Sequence, residues 1–159
     1  MKKLMALMMA VMCVLTMTAC GGEKQESVSA FTVETVNEVQ KTGAFSEELE
    51  ELDADTAFML YKLADYGLVR EDLTQAAVVR SAGATCEEGA VLIFVDADKA
   101  AKAADAMGDY LEGQIEANVN YRLAEIPKLE GAILMTRENS LLLVVPNDAA
   151  AVRNLFEYQ

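Results

Sequence analysis

The chain has 159 residues, 53% of them hydrophobic, with 26 acidic against 13 basic side chains and a net charge of −13. That length and apolar content suffice for one domain with a real core, and the negative surface repels nucleic acid and anionic lipid headgroups. Histidine is absent, which excludes a Ser-His-Asp arrangement and histidine-bearing zinc sites.

Met1-Lys2-Lys3 opens the chain, and no charged residue follows from Leu4 to Ala19. Positive charge followed by a hydrophobic stretch is the layout of a secretory signal peptide. The stretch is shorter than the roughly 20 residues a spanning helix needs. It ends Leu15-Thr16-Met17-Thr18-Ala19-Cys20-Gly21. This resembles the lipobox of bacterial lipoproteins, with Met17 where leucine is usual. The resemblance implies that the Cys20 thiol receives a diacylglyceryl group and becomes the mature N-terminus. The chain is then lipid-anchored on the outer side of the cytoplasmic membrane, and two acyl chains give stable anchoring. The rival is an ordinary secreted protein cleaved nearby, with Cys20 incidental.

The expected organisation is a signal peptide at 1–19, a lipid-anchored tether at 20–30 and one extracytoplasmic domain at 31–159. The tether reading rests on the polar run Gly21 to Ser29. Of the three cysteines, Cys13 leaves with the signal peptide and Cys20 is acylated. Cys86 is left without a disulfide partner. It reads as a bland loop cysteine, since no histidine is present to activate it as a nucleophile.

Apolar residues at 31, 33, 36 and 39 predict a short helix ending at Gly43. Glu47 to Asp53 is an acidic run, read as a solvated face or turn. Asp55 is the expected cap of a helix reaching Tyr66, with Met59, Leu63 and Tyr66 on its buried stripe and Gly67 as its stop. Ala76 to Val79 is a short strand, Gly83 and Glu87-Glu88-Gly89 form a turn region, and Ala90 to Val95 is a second strand. Asp98 to Asn118 is a helix with Ala100, Ala104, Met107, Leu111 and Ile115 on one face. Gly108, beside that stripe, either allows close packing on a sheet or is a tolerated helix glycine. Pro127 breaks the chain. Ala132 to Thr136 and Leu141 to Val145 are strands joined by a turn at Arg137 to Ser140, and Asp148 caps a last helix carrying Val152, Leu155 and Phe156.

Val91 to Ala101 aligns without a gap on Leu141 to Ala151, each an apolar strand leading to an aspartate and a helix. The echo reads either as a ββα unit used twice or as chance. The expected fold is α+β: a four-stranded, largely antiparallel sheet from two ββα units, with N-terminal helices over its other face. Both apolar strands must be covered on both faces. They belong at the centre, with Ala76 to Val79 at an edge and the Asp55–Tyr66 helix as the chief second cover.

Tyr66-Gly67-Leu68, Glu71-Asp72-Leu73, a short valine strand, Glu87-Glu88-Gly89-Ala90-Val91 and an amphipathic helix follow in that order. With the lipobox, this order resembles an uncharacterised family of Gram-positive bacterial lipoproteins carrying a domain of unknown function. Leu68-Val69-Arg70 departs from the Ile-Asp type of continuation expected after Tyr-Gly. The resemblance implies location and fold and supplies no site residue.

Other chemistry is weakly represented. Asp53-Ala54-Asp55 and Asp96-Ala97-Asp98 begin like calcium loops, but Ala64 and Met107 stand where the bidentate glutamate belongs. No phosphate loop follows Gly83 or Gly89, no tryptophan is present to stack on a sugar, and aromatics are few. The expectation is a non-catalytic binding or accessory module of the cell envelope, with no cofactor, no metal and no catalytic residue, taking an envelope protein or a small ligand. The rivals are a carboxylate-based hydrolase acting on cell-wall polymer, and a structural or sensor subunit of a membrane complex.

Overall fold

Strands that are apolar at every position demand cover on both faces, and the arrangement around Val91–Phe94 and Leu141–Val145 provides it. The computed structural model describes residues 30–157. The expected signal peptide, Cys20 and the expected tether up to Ser29 lie outside the described residues. Among the described residues five antiparallel strands form one sheet: β1 (Glu50–Leu52), β2 (Leu73–Arg80), β3 (Glu88–Phe94), β4 (Ile133–Arg137) and β5 (Ser140–Val145), in the order β1-β2-β3-β5-β4. The apolar strands β3 and β5 are interior neighbours, as their composition requires. Two expectations are corrected. The sheet has five strands, because Glu50-Glu51-Leu52 of the acidic run pairs with Val78 to Arg80. That pairing makes β2 an interior strand of eight residues, where a short edge strand is expected.

Alternation along β3 and β5 divides the core into two layers. Ala90, Leu92, Phe94, Leu141, Leu143 and Val145 face the first. Val91, Leu142 and Val144 face the second. The first is covered by α2 (Ala54–Leu60), a 3-10 turn (Leu63–Tyr66), α3 (Ala97–Asn118) and α4 (Ile126–Glu130). The second is covered by α1 (Glu34–Lys41) through Val36 and Val39, by Phe31 and Leu49, and by α5 (Ala149–Glu157) through Val152. Here too the sequence reading is corrected. The Asp55–Tyr66 segment lies on the same face as α3, and α1 with α5 covers the other.

The segment is also not one helix. α2 stops at Leu60, Lys62 is left-handed at φ 50, and the chain re-enters as the 3-10 turn closed by left-handed Gly67. The break moves the buried stripe from Met59, which is 69% exposed, to Ala57, Tyr61 and Leu63. Asp53 caps α2 by accepting from the Thr56 N–H at 2.8 Å, and Asp96 caps α3 by accepting from Lys99 at 2.8 Å. Asp55 and Asp98 are therefore first-turn residues and not the caps, because the cap is the last extended residue before the helix. Asp148 does cap α5, accepting from Ala150 and Ala151. Pro127 opens α4 near its first position, where no amide donor is needed. A Cβ at Gly108 would touch nothing within 4 Å, so this glycine makes no close approach to the sheet.

The two strand–strand–helix passages are not superposable units. Viewed with its own helix in front and its inner strand pointing up, β2 lies on one side of β3 and β4 on the opposite side of β5. The units have opposite hands, so no rotation relates them. The cause lies at the connection after β5. Pro146 ends the strand, and the amides of Asn147 and Asp148 both donate to the Ala44 carbonyl, at 2.9 and 3.0 Å. This draws α5 toward α1, whereas α3 turns the other way directly after Asp96.

Candidate functional site

Glu88 begins β3 and shares the side of Ala90, Leu92 and Phe94, so its carboxyl points into the first layer. It is 2% exposed. The Tyr61 hydroxyl, from the residue closing α2, donates to Oε1, and the Tyr110 hydroxyl, from α3, donates to Oε2 at 2.8 Å. The two rings meet edge to face with centroids 5.1 Å apart. Arg80 Nε stands 3.9 Å from Oε2. Burial pushes the Glu88 carboxyl above the usual carboxylate range, against the tyrosine donors and Arg80. Burial and the neighbouring Glu88 charge push both tyrosines up as well. The network joins α2, α3 and β3 in one polar knot inside an apolar layer.

Above this knot a cleft of about 610 Å³ opens between the Leu60–Tyr66 segment and α3. One wall carries Leu60, Lys62, Asp65 and Tyr66, and the other carries Ala106, Asp109, Tyr110 and Gln114. The Tyr66 hydroxyl crosses to donate to Asp109 Oδ2. That bond, with burial and the charges of Asp109, Asp105 and Asp65, pushes the Tyr66 hydroxyl up to about 12. Tyr66 and Tyr110 thus present aromatic rings whose hydroxyls are held in place, with mixed polar groups around them.

Glu87 has a different environment. Its carboxylate accepts from the Ser46 amide at 2.7 Å, from the Ser46 hydroxyl and from Lys128 Nζ at 2.8 Å. Burial works to raise its pKa, but the Lys128 and Ser46 hydrogen bonds outweigh it and hold the carboxyl below its ordinary value. Lys128 also pairs with Glu125 at 3.3 Å. This is an anchoring ion pair that fastens α4 and the loop after α1 to the start of β3.

Cys20 lies outside the described residues. Cys86 is partly buried against the first layer, and its amide donates to Glu125 Oε2 at 2.8 Å. Burial raises its thiol above the ordinary range, which lowers the thiolate fraction. Cys86→Ser is expected to change stability by about 1 kcal/mol or less and to leave function in the cell intact, as checked by urea denaturation and complementation. A null phenotype with unchanged stability would show a chemical role for the thiol.

Asp53 and Asp96 are engaged as helix caps. Among the described residues no group of three or more acidic or cysteine side chains is placed to hold a metal ion. Glu87 and Glu88, read from sequence as part of a turn, are buried, and neither tyrosine partner stood out. One signal was present: Glu88 has the same parity as Ala90, Leu92 and Phe94 and therefore had to face the core. No protein-family model, curated protein or solved structure matches the chain.

Proposed function

We propose that the chain is a lipid-anchored extracytoplasmic lipoprotein whose domain is a non-catalytic binding module of the cell envelope. The cleft between the Leu60–Tyr66 segment and α3 is its binding site. The observation that carries the binding reading is the cleft itself, about 610 Å³ and walled by Tyr66 and Tyr110. Its aromatic floor is locked by Glu88, which cuts the ordering cost of binding. A smaller groove of about 280 Å³ lies between α1 and the β1–β2 edge of the sheet, lined by Val36, Leu52 and Val79 among others, and its lining holds no aromatic side chain. The anchor rests on the lipobox resemblance at Cys20. The proposed likeness to an uncharacterised lipoprotein family rests on the lipobox and on the motif order from Tyr66 through the amphipathic helix.

The binding reading is tested by Asp65→Ala combined with Gln114→Ala. Both residues line the cleft and neither belongs to the core. The double variant is expected to accumulate normally and to reproduce the phenotype of deleting the gene. Full function in the double variant would count against the cleft. The anchor is tested separately. Cys20→Ala is expected to abolish fatty-acid labelling and to leave uncleaved precursor or release soluble protein. Labelling that survives the substitution would refute the assignment.

The hydrolase rival draws on Glu88, whose raised carboxyl is a feature of general acids. Both of its oxygens, however, accept tyrosine hydroxyls, so it has no free face toward a substrate. The subunit rival draws on Val119, Tyr121 and Leu123, exposed in succession after α3.

A further inference from the structure

We propose that the ligand of the cleft is a small organic ammonium ion, held between the Tyr66 and Tyr110 rings with its charge toward Asp65 and Asp109. This rests on the reading of the cleft as the binding site. The volume of about 610 Å³ suits a small organic molecule and exceeds what a bare inorganic ion needs. Leu60 and Ala106 add apolar lining beside the two rings. Aromatic faces beside carboxylates are the physical requirements of an alkylammonium group, which is apolar at its surface and positive at its centre.

Charge excludes the opposite class. Asp65 and Asp109 come from facing walls, and Asp105 adds its field at Tyr66. The whole chain carries −13. An anion entering the cleft would meet net repulsion, with Lys62 as the one positive group in the lining. The acidic residues alone would be a solvated face. The concavity and the two tyrosines that line it give an organic cation more than a counterion's weak attraction.

Lys62 decides between two cationic classes. Among the described lining residues it is the single base, and it stands on a left-handed backbone. It repels a simple ammonium ion and would attract the carboxylate of an amino acid. An ammonium ligand without an anionic group therefore binds more tightly when Lys62 is removed.

The chain holds no tryptophan, so tyrosine emission reports binding directly, and three of its five tyrosines line the cleft. The mature lipidated protein in neutral detergent is titrated with choline and with 3,3-dimethylbutan-1-ol, its uncharged isostere. We expect a saturable change with choline and affinity lower by about ten-fold for the isostere. We expect a similar loss for choline with Asp109→Asn, which keeps the acceptor for Tyr66. Lys62→Ala should tighten choline binding. Absence of any saturable change with choline overturns the inference. Equal binding of the isostere overturns the ammonium assignment and leaves the cleft as an apolar site. Loss of binding with Lys62→Ala also overturns it, since an anionic group would then be recognised. Failure of the Asp65→Ala, Gln114→Ala double variant to reproduce the deletion phenotype removes the functional reading instead, whatever the titration shows.

Discussion

A chain lacking residues 44–66 is expected not to reach the folded state and to be recovered as aggregate. The segment supplies Ala44 and Leu49 to the second layer and Ala57, Tyr61 and Leu63 to the first, all buried. It also supplies β1, whose loss bares the edge of β2 from Val78 to Arg80. Truncating one large buried side chain costs about 2–5 kcal/mol. Removing three of them with a covering strand exceeds the roughly 5–15 kcal/mol that holds a domain together. An exposed strand edge is then a template for association. Size-exclusion chromatography with dye binding is expected to show aggregate and exposed apolar surface. A monomeric product with cooperative unfolding would contradict the two-layer packing.

The second large effect is at Glu88. Glu88→Ala strands two tyrosine hydroxyls, of which Tyr61 is 1% exposed, and opens a void at the start of β3. Each buried hydroxyl left without a partner costs about 1–3 kcal/mol, so the total expected loss is about 3–5 kcal/mol. Glu88→Gln keeps an acceptor and a hydrogen-bonding shape, and is expected to retain most of the stability. The two variants thus separate loss of the carboxyl's charge from loss of its hydrogen bonds.

The pH dependence follows from the raised carboxyl. In the window from the ordinary carboxylate value up to the raised one, the folded state binds more protons than the unfolded state at this site. Stability from Glu88 is therefore fully present below the unfolded value and lost as pH rises through the folded one. Glu87, whose carboxyl is lowered, works in the opposite sense and loses its contribution as pH falls. Urea midpoints measured across the acid range should lose the Glu88 component in Glu88→Gln. An unchanged profile in that variant would show that Glu88 titrates normally.

The difference between what was legible in sequence and what was not follows the range of the interactions. α3 runs Ala97–Asn118 against an expected Asp98 to Asn118, because its apolar period is local and uninterrupted by proline. β5 was equally legible, and so was β3 from Ala90 to Phe94, since apolar residues at every position leave few alternatives; the start of β3 at Glu88 was read as turn, and Val95 lies past its end. β1 was not. Glu50-Glu51-Leu52 carries no strand pattern, and its state comes from pairing with residues of β2. The face taken by α5 depends on the Ala44 carbonyl binding Asn147 and Asp148, a contact across most of the domain. Lys62 broke the expected Asp55–Tyr66 helix without any glycine or proline to announce it. That break creates one wall of the cleft. The candidate site was accordingly the least legible feature: Glu88 could be placed by parity, but Tyr61, Tyr66, Asp109 and Tyr110 converge only through packing.

The claim that this cleft is where the protein meets its ligand is tested most directly by photo-crosslinking in living cells. A photoreactive amino acid is placed at Gln114 on the cleft wall, and in a second strain at Glu138, in the β4–β5 turn away from the cleft. The account predicts a discrete mass adduct on the protein from Gln114, diminished by Asp109→Asn, and none from Glu138. Adducts from Glu138 with none from Gln114 would contradict it and move the binding surface to the other end of the sheet.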